Sequence, residues 1–227
     1  MAATRNALFL AFDGRTTPSH PPIDPTSPYN PSTGIFVSNG TTSGTHEALG
    51  LGSIPDPPLV ASAYPEAITA EAALSYNTVF GVGTTLYATN PQTGVPAALA
   101  VAGLASAPTA MISLGAFALF SASDAAGNSV LWRTDGTGAG TFRVVPAGTD
   151  ATLNPRDYAR ICSHAVFLGT QADGSFAVFT TDGTSAATNV LLPLGKGYSA
   201  FMRPIGIVGG RLVFNVATSD AVGLPTT

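Results

Sequence analysis

The segment that decides the fold is Leu131-Trp-Arg-Thr-Asp-Gly-Thr137. It returns as Val178-Phe-Thr-Thr-Asp-Gly-Thr184, and an earlier version reads Ile35-Phe-Val-Ser-Asn-Gly-Thr41. A shortened version is Leu86-Tyr-Ala-Thr-Asn90. Asp-Gly and Asn-Gly favour tight turns between strands, because both residues of each pair tolerate a positive φ. The sequence therefore predicts a series of hairpins, whose structural turn motif is the set Asn39, Gly40, Asp135, Gly136, Asp182 and Gly183.

Three series of apolar residues mark the period of this repeat. The aromatic residue before each turn gives a series with steps of 51, 45 and 47 residues: Phe36, Tyr87, Trp132 and Phe179. The residues that precede it form a Phe series, namely Phe9, Phe80, Phe120, Phe167 and Phe214, and an aliphatic series, namely Leu74, Leu114, Ile161 and Val208. A period of about 40 to 50 residues with only β signals is typical of β-propellers. The sequence thus predicts an all-β, β-propeller-like fold of about five repeat units, each with up to four short antiparallel strands.

The repeat divides the chain into units of one domain over residues 1–227. The unit bounds are roughly 1–50, 51–103, 104–147, 148–194 and 195–227. Two segments interrupt the period. A Pro-rich insert at 14–33 is expected to form a surface loop, since proline cannot donate to a sheet. Residues 65–74 are the only predicted helix, with Pro65 at its first position.

Composition excludes several classes of protein. Only 10% of the residues are charged, the net charge is −4, and Lys196 is the single lysine. A nucleic-acid surface needs clustered basic residues, so none is expected. No apolar run reaches the roughly 18 residues of a membrane-spanning helix, and the first residues show no signal-peptide core. The partners that remain are a protein, a glycan or further copies of the chain.

Two places carry candidate binding residues. Arg160, Cys162 and His164 alternate along a predicted strand, so their side chains are expected on one face, where Arg160 and His164 could bind an anion. The alternative is that Arg160 pairs with a neighbouring acid and His164 closes a turn. In the Pro-rich insert, His20 and Tyr29 are the expected anchors for a partner, and the alternative is an insertion without a role.

The acidic residues predict turns rather than a catalytic or metal-binding site. Nearly all lie beside Gly, Pro or Ser, and no pair marks a general acid and base. The sequence therefore predicts no catalytic residue, no metal site and no cofactor. Calcium at the repeated Asp residues is the alternative, but no hairpin has the D-x-D-x-D spacing that supplies enough oxygens. Asx-turns capped by the hydroxyls of Thr137 and Thr184 explain the same residues.

The stretch from Leu131 to Thr141 resembles the bacterial ELWxxDGTxxGT (hyalin-like) repeat family, although Val130 stands where the family has Glu. Ala165-Val-Phe167 and Gly210-Arg-Leu-Val-Phe214 resemble the strand that precedes this motif in the family. The resemblance implies a propeller-like protein that is extracellular or at the surface of a bacterial cell. It implies no catalytic residues.

From these features we predict a non-catalytic binding or surface-structural repeat module. The alternative is a hydrolase-type enzyme with a site at the propeller axis that uses Arg160 and His164. An enzyme should show a deep pocket with convergent polar groups, whereas a scaffold should show a broad exposed patch.

Overall fold

The computed structural model describes residues 8–12, 32–38, 41, 43, 46–53, 68–146, 153–197 and 199–219, with backbone alone for the strands before residue 69. The chain divides into two compact units, one of residues 1–68 with 89–97 and one of residues 69–88 with 98–227. All regular structure in the described residues is β-structure, and none of them forms a helix that could cross a membrane.

The first unit contains a three-stranded antiparallel sheet. Its order is β1 (Leu8–Phe12), β2 (Ser32–Ser38) and β3 (His46–Ser53). The register sets Leu10 opposite Phe36, while Phe9 faces Val37. The members of the Phe series, which we call the Phe anchors, were predicted to take equivalent positions in all sheets. For Phe9 this is wrong by one residue, because Leu10 and not Phe9 lies opposite Phe36. Side chains one residue apart leave opposite faces of a strand.

Four more antiparallel sheets follow along the chain. The second is β4 (Ile68–Ala73), β5 (Thr78–Val82), β6 (Thr85–Thr89) and β7 (Pro96–Ala98). The third is β8 (Ala110–Ser113), β9 (Ala118–Ser123), β10 (Ser129–Thr134) and β11 (Phe142–Arg143). The fourth is β12 (Arg156–Ile161), β13 (His164–Thr170), β14 (Phe176–Thr181) and β15 (Asn189–Gly195), and the fifth is β16 (Ser199–Val208) with β17 (Arg211–Ser219).

The predicted helix at 65–74 is wrong where the structure describes it. Residues 68–73 form strand β4, the edge strand of the second sheet. Ala and Glu favour a helix in isolation. Here Ala72 is buried and Leu74 packs beside it, next to Val79 and Ala88 of the same sheet. Burial against neighbouring strands decides the structure of so short a segment, because a helix of two turns is marginal on its own.

The sheets of the second unit pack face to face in chain order. Leu86 of the second sheet contacts Phe120 and Trp132 of the third. One cluster joins the third and fourth sheets through Leu119 and Phe167, and another joins the fourth and fifth through Val166, Met202 and others. Successive antiparallel sheets stacked on both faces are the arrangement of a β-propeller. The predicted all-β, β-propeller-like class is confirmed.

The Phe anchors lie inside this stack. Cross-strand aromatic pairs stack with ring centroids 5.5 Å apart for Phe80–Tyr87, 6.2 Å for Phe120–Trp132 and 5.3 Å for Phe167–Phe179. The predicted burial of Phe80, Phe120 and Phe167 is confirmed. Phe214 is only half-buried, although it too packs toward the fourth sheet. The fifth sheet has two strands among the described residues, so its anchor has fewer neighbours.

Candidate functional site

The loop after β10 is held by its own side chains. The Asp135 carboxylate accepts hydrogen bonds from the Thr137 N–H at 2.9 Å and the Thr137 hydroxyl at 2.7 Å. The Thr141 hydroxyl donates to the Thr137 carbonyl at 2.6 Å, so it accepts from the Thr134 hydroxyl at 2.7 Å. The Gly136 N–H in turn donates to the Thr134 oxygen. The loop therefore satisfies its polar groups internally.

The loop after β14 repeats this network bond for bond. Asp182 accepts from the N–H and hydroxyl of Thr184, and the hydroxyls of Thr181 and Thr188 lie 2.7 Å apart. The Thr184 hydroxyl lowers the pKa of Asp182 below its usual range, with burial opposing it and the Thr184 N–H adding to it. A carboxylate that accepts several donors is stabilised in its charged form.

The predicted turn at Asp135-Gly136 lies at the start of a longer loop. The loop between β10 and β11 runs over residues 135–141. Gly136 and Gly183 have the expected positive φ, at 86° and 88°, but Asp135 and Asp182 do not. The loop can be wider than a tight turn because the Thr hydroxyls bridge the two strand ends.

Both loop glycines lie directly against the preceding sheet. A methyl group at Gly136 would overlap the side chain of Asn77, and one at Gly183 would overlap the ring of Phe117. Asn77 and Phe117 occupy the same place, three residues before the anchors Phe80 and Phe120. Each loop therefore packs against the first hairpin of the preceding sheet.

Arg133 strengthens the contact between the third and fourth sheets. Its guanidinium carbon lies 4.0 Å from the centroid of the Phe117 ring and 5.6 Å from that of Phe142. One terminal nitrogen donates to the Gly183 carbonyl at 3.4 Å, while its buried Nε has no partner. The stacking is a cation–π interaction. Arg133, Phe117 and Gly183 together join the loop of one sheet to the hairpin of another.

An open depression of about 690 Å³ lies beside the third sheet. Its floor is made of small residues such as Ala100, Ala126 and Gly138. At one side Arg143 donates to Asp124 at 3.0 Å. Hydrogen bonding from the Asn128 N–H, then from Ala126, and the charge of Arg143 lower the pKa of Asp124, whereas burial opposes them. One Asp124 oxygen thus accepts from the Ala126 and Asn128 N–H groups and closes the hairpin, while the other accepts from Arg143.

Arg160 and His164 do not share a face, so that prediction is wrong. Strands β12 and β13 join through a two-residue turn at Cys162 and Ser163, and the register sets His164 opposite Ile161 and Arg160 opposite Ala165. The two side chains therefore leave opposite faces of the sheet. Arg160 donates to the carbonyls of Cys162 and Ser113, at 2.9 and 3.2 Å.

His164 is exposed, and its Nδ1 lies 3.2 Å from the hydroxyl oxygen of Ser163. It stands three residues before the anchor Phe167, the place that Asn77 and Phe117 hold in their sheets. The other candidate binding residues, His20 and Tyr29, lie outside the described residues, as do the turn residues Asn39 and Gly40.

The fifth sheet carries apolar side chains toward solvent. Its face toward the fourth sheet buries Ala200 and Met202. The opposite face, which we name the open face, bears Phe201, Val208 and Val213 together with Arg203 and Arg211. Val208 and Val213 are 69% and 41% exposed.

The repeat shows that these positions are normally buried. Val213 stands one residue before its anchor, as Leu119 and Val166 do in their sheets, and those two are 0% and 3% exposed. Leu119 contacts the fourth sheet and Val166 contacts the fifth. The open face is therefore built like a face that packs against a following sheet.

Among the described residues, no group of three or more His, Cys, Asp or Glu side chains is placed to hold a metal ion. The carboxylates of Asp124, Asp135, Asp173 and Asp182 all accept hydrogen bonds from their own loops. The Ser175 hydroxyl, followed by its N–H, lowers the pKa of Asp173. The predicted turns capped by the hydroxyls of Thr137 and Thr184 are thus confirmed.

Comparison with known proteins gives structural likenesses only. No family model and no curated protein matches the sequence. The crystal structure of a puromycin hydrolase is 15% identical, with a TM-score of 0.47 over 81% of this chain and 29% of its own. TolB from Acinetobacter baumannii is 13% identical, with a TM-score of 0.41 over 86% of this chain and 49% of its own. The computationally designed Ika4 protein is 20% identical, with a TM-score of 0.42 over 72% of this chain and 91% of its own. This chain spans less than a third of the hydrolase and about half of TolB.

Proposed function

We propose that this chain is a non-catalytic binding module that engages another protein through the open face of the fifth sheet. One observation carries the proposal: Val208 and Val213 are exposed at positions whose equivalents in earlier sheets contact the next sheet. Exposed apolar patches with a polar rim mark interaction surfaces. Arg203 and Arg211 supply exposed polar groups on the same face.

The chemistry of the face favours a protein over a glycan. Along this face the register places Arg203 between Val213 and Phe201, and Arg211 beside Val208. This mixture of exposed valine, phenylalanine and arginine side chains matches a protein–protein interface, in which aromatic residues and Arg are enriched. A location at a bacterial cell surface stays a prediction from the family resemblance.

The register argues against the alternative, a hydrolase that combines Arg160 with His164. General acid–base work needs both groups within hydrogen-bond reach of one substrate. Side chains on opposite faces of a sheet do not converge on one reacting group, and Arg160 already donates to two backbone carbonyls.

Anilinonaphthalene sulfonate tests whether the face is accessible, because this dye fluoresces on apolar surfaces. The folded protein should bind it at low protein concentration, and Val213→Asp should remove most of the signal. Leu191→Asp is the matched control, since Leu191 is also exposed but lies on β15 of the fourth sheet. A native protein that binds no dye, or equal loss in both variants, would contradict the proposal.

A further inference from the structure

We infer that the partner of the open face is an acidic protein segment, in which two carboxylates flank an apolar side chain. The inference deepens the proposed function and rests on it. It starts from the two arginines of the face, Arg203 and Arg211, which are both exposed. Their guanidinium groups differ from those of the other arginines in what they contact.

The other arginines that the structure describes are held by groups of the protein itself. Each of them donates a hydrogen bond to a carbonyl or a carboxylate: Arg133, Arg143, Arg156 and Arg160. Among the described residues, Arg203 and Arg211 have no hydrogen-bond acceptor and no ion pair. Arg203 stacks on Phe201, with its guanidinium carbon 5.8 Å from the ring centroid. A guanidinium has five N–H donors, so the donors of both groups remain available to a partner.

The charge of the fifth sheet selects the kind of partner. Residues 199–219 contain two arginines and no Asp or Glu, although the whole chain carries a net charge of −4. A carboxylate accepts two parallel hydrogen bonds from one guanidinium. A nucleic acid is a poorer match, because two arginines displace few counterions and the acidic chain repels phosphates. The open face is therefore complementary to an acidic protein surface.

The register sets the spacing that this partner must match. Arg203 lies opposite Asn215, which is four residues along β17 from Arg211, and Val213 lies between them. At about 3.4 Å per residue, the Cα atoms of the two arginines are about 14 Å apart. Residues i and i+4 of an extended strand have nearly the same separation and point to one side, with residue i+2 between them. An extended segment with acids at i and i+4 and an apolar residue at i+2 therefore fits both arginines and Val213.

Two labelled synthetic peptides test the inference by fluorescence anisotropy with the full chain. The first has glutamate, valine and glutamate at alternate positions with threonine between them, and the second has lysine in place of glutamate. The glutamate peptide should bind about tenfold more tightly, and added salt should weaken it because salt screens exposed charges.

Single substitutions locate the peptide on the face. Arg203→Gln and Arg211→Gln should each weaken binding of the glutamate peptide about threefold, as expected for one exposed ion pair. Arg160→Gln is the matched control, because it removes the same charge from an exposed arginine of the fourth sheet. It should bind the peptide like the wild type. Replacing both arginines of the face, Arg203→Glu with Arg211→Glu, should invert the preference so that the lysine peptide binds more tightly.

The outcomes separate this inference from the proposed function. Equal binding of the two peptides, binding of neither, or an equal loss in Arg160→Gln would overturn the acidic partner. If the dye still binds the native protein and Val213→Asp removes its signal, the open face stands as the binding surface. A native protein that binds neither dye nor peptide would overturn both. Circular dichroism of each variant confirms that it is folded before it is compared.

Discussion

Gly183 lies against the ring of Phe117 so closely that a single methyl group on Gly183 would overlap the ring atom Cε2. The two residues belong to adjacent sheets, and Arg133 stacks on the same ring while it donates to the Gly183 carbonyl. The residue at 183 must therefore have no side chain for two reasons: its φ is 88°, and its neighbour leaves no room. The same pairing recurs between Gly136 and Asn77.

Gly183→Ala should lower the free energy of unfolding by about 2 to 4 kcal/mol. Left-handed backbone costs a residue with a Cβ about 1 to 2 kcal/mol, and overpacking adds a similar amount. Urea denaturation measures the loss. Gly174→Ala is the control, because its φ is 81° but a methyl group there meets no atom within 4 Å, so it should cost about 1 kcal/mol. Equal losses in both variants would show that the Phe117 contact is not tight.

Phe167→Ala should destabilise the protein by about 3 to 5 kcal/mol, because it removes a fully buried ring from the contact between the third and fourth sheets. Chemical denaturation measures the change. Phe201→Ala is the control, since this ring is 46% exposed and its loss should cost less than about 1 kcal/mol. A small effect at Phe167 would mean that the sheets do not pack as described.

Acid should weaken the loop after β14 through Asp182. Its pKa is lowered in the folded protein, first by the Thr184 hydroxyl. A lowered pKa gives stability that is present above the usual aspartate pKa, near 3.9, and is lost as pH falls through the folded value. The stability advantage of the wild type over Asp182→Asn should therefore be constant near neutral pH and shrink below about pH 4. Denaturant titrations at several pH values measure it.

Thr184→Val tests the assigned cause of this dependence. Without the hydroxyl, the carboxylate keeps the Thr184 N–H but loses its strongest donor, so acid should reduce the stability of this variant less than that of the wild type. An unchanged pH profile would show that another group sets the pKa of Asp182.

Local patterns were enough to place most strands of the third and fourth sheets. The segments around Phe120 and Trp132 that the repeat predicts as strands form β9 and β10, and the stacked pairs of Phe120 with Trp132 and Phe167 with Phe179 follow the predicted period. These features depend on the alternation of apolar and polar residues and on turn residues, which can be recognised from neighbouring positions in the sequence. The helix at 65–74 failed because neighbouring strands, not local propensity, decide that segment.

The site was harder to predict, because it depends on which surfaces lie together. Nothing in the neighbourhood of Gly183 reveals that Phe117 is its contact. The exposure of Val213 depends on the absence of a neighbour, and its alignment with Leu119 and Val166 was the one signal that could have identified it. Arg160 and His164 were paired wrongly because the turn between their strands has no glycine to mark it.

Cys162 is the first residue of the turn between β12 and β13. Its replacement by glycine should stabilise the protein. Cys162 has a φ of 53°, although it has a side chain. The matching hairpins, between β5 and β6 and between β16 and β17, begin their turns with Gly83 and Gly209, at φ of 53° and 57°. Cys162→Gly relieves about 1 to 2 kcal/mol of strain and adds about 0.4 to 1 kcal/mol of unfolded-chain entropy. A net gain of about 0.5 to 1 kcal/mol should appear as a higher midpoint in denaturant.

Ser163→Gly is the matched control for Cys162→Gly, because Ser163 is the second residue of the same turn and does not have a positive φ. Glycine relieves no strain there and only raises the conformational entropy of the unfolded chain. The free energy of unfolding of this variant should therefore fall by about 0.5 to 1 kcal/mol. The side chain of Cys162 is exposed, so its removal leaves no cavity. The hydrogen bond from Arg160 to the Cys162 carbonyl uses only backbone and should persist in both variants. If Cys162→Gly is no more stable than Ser163→Gly, the left-handed conformation of residue 162 costs nothing in solution, and the turn differs from the one described.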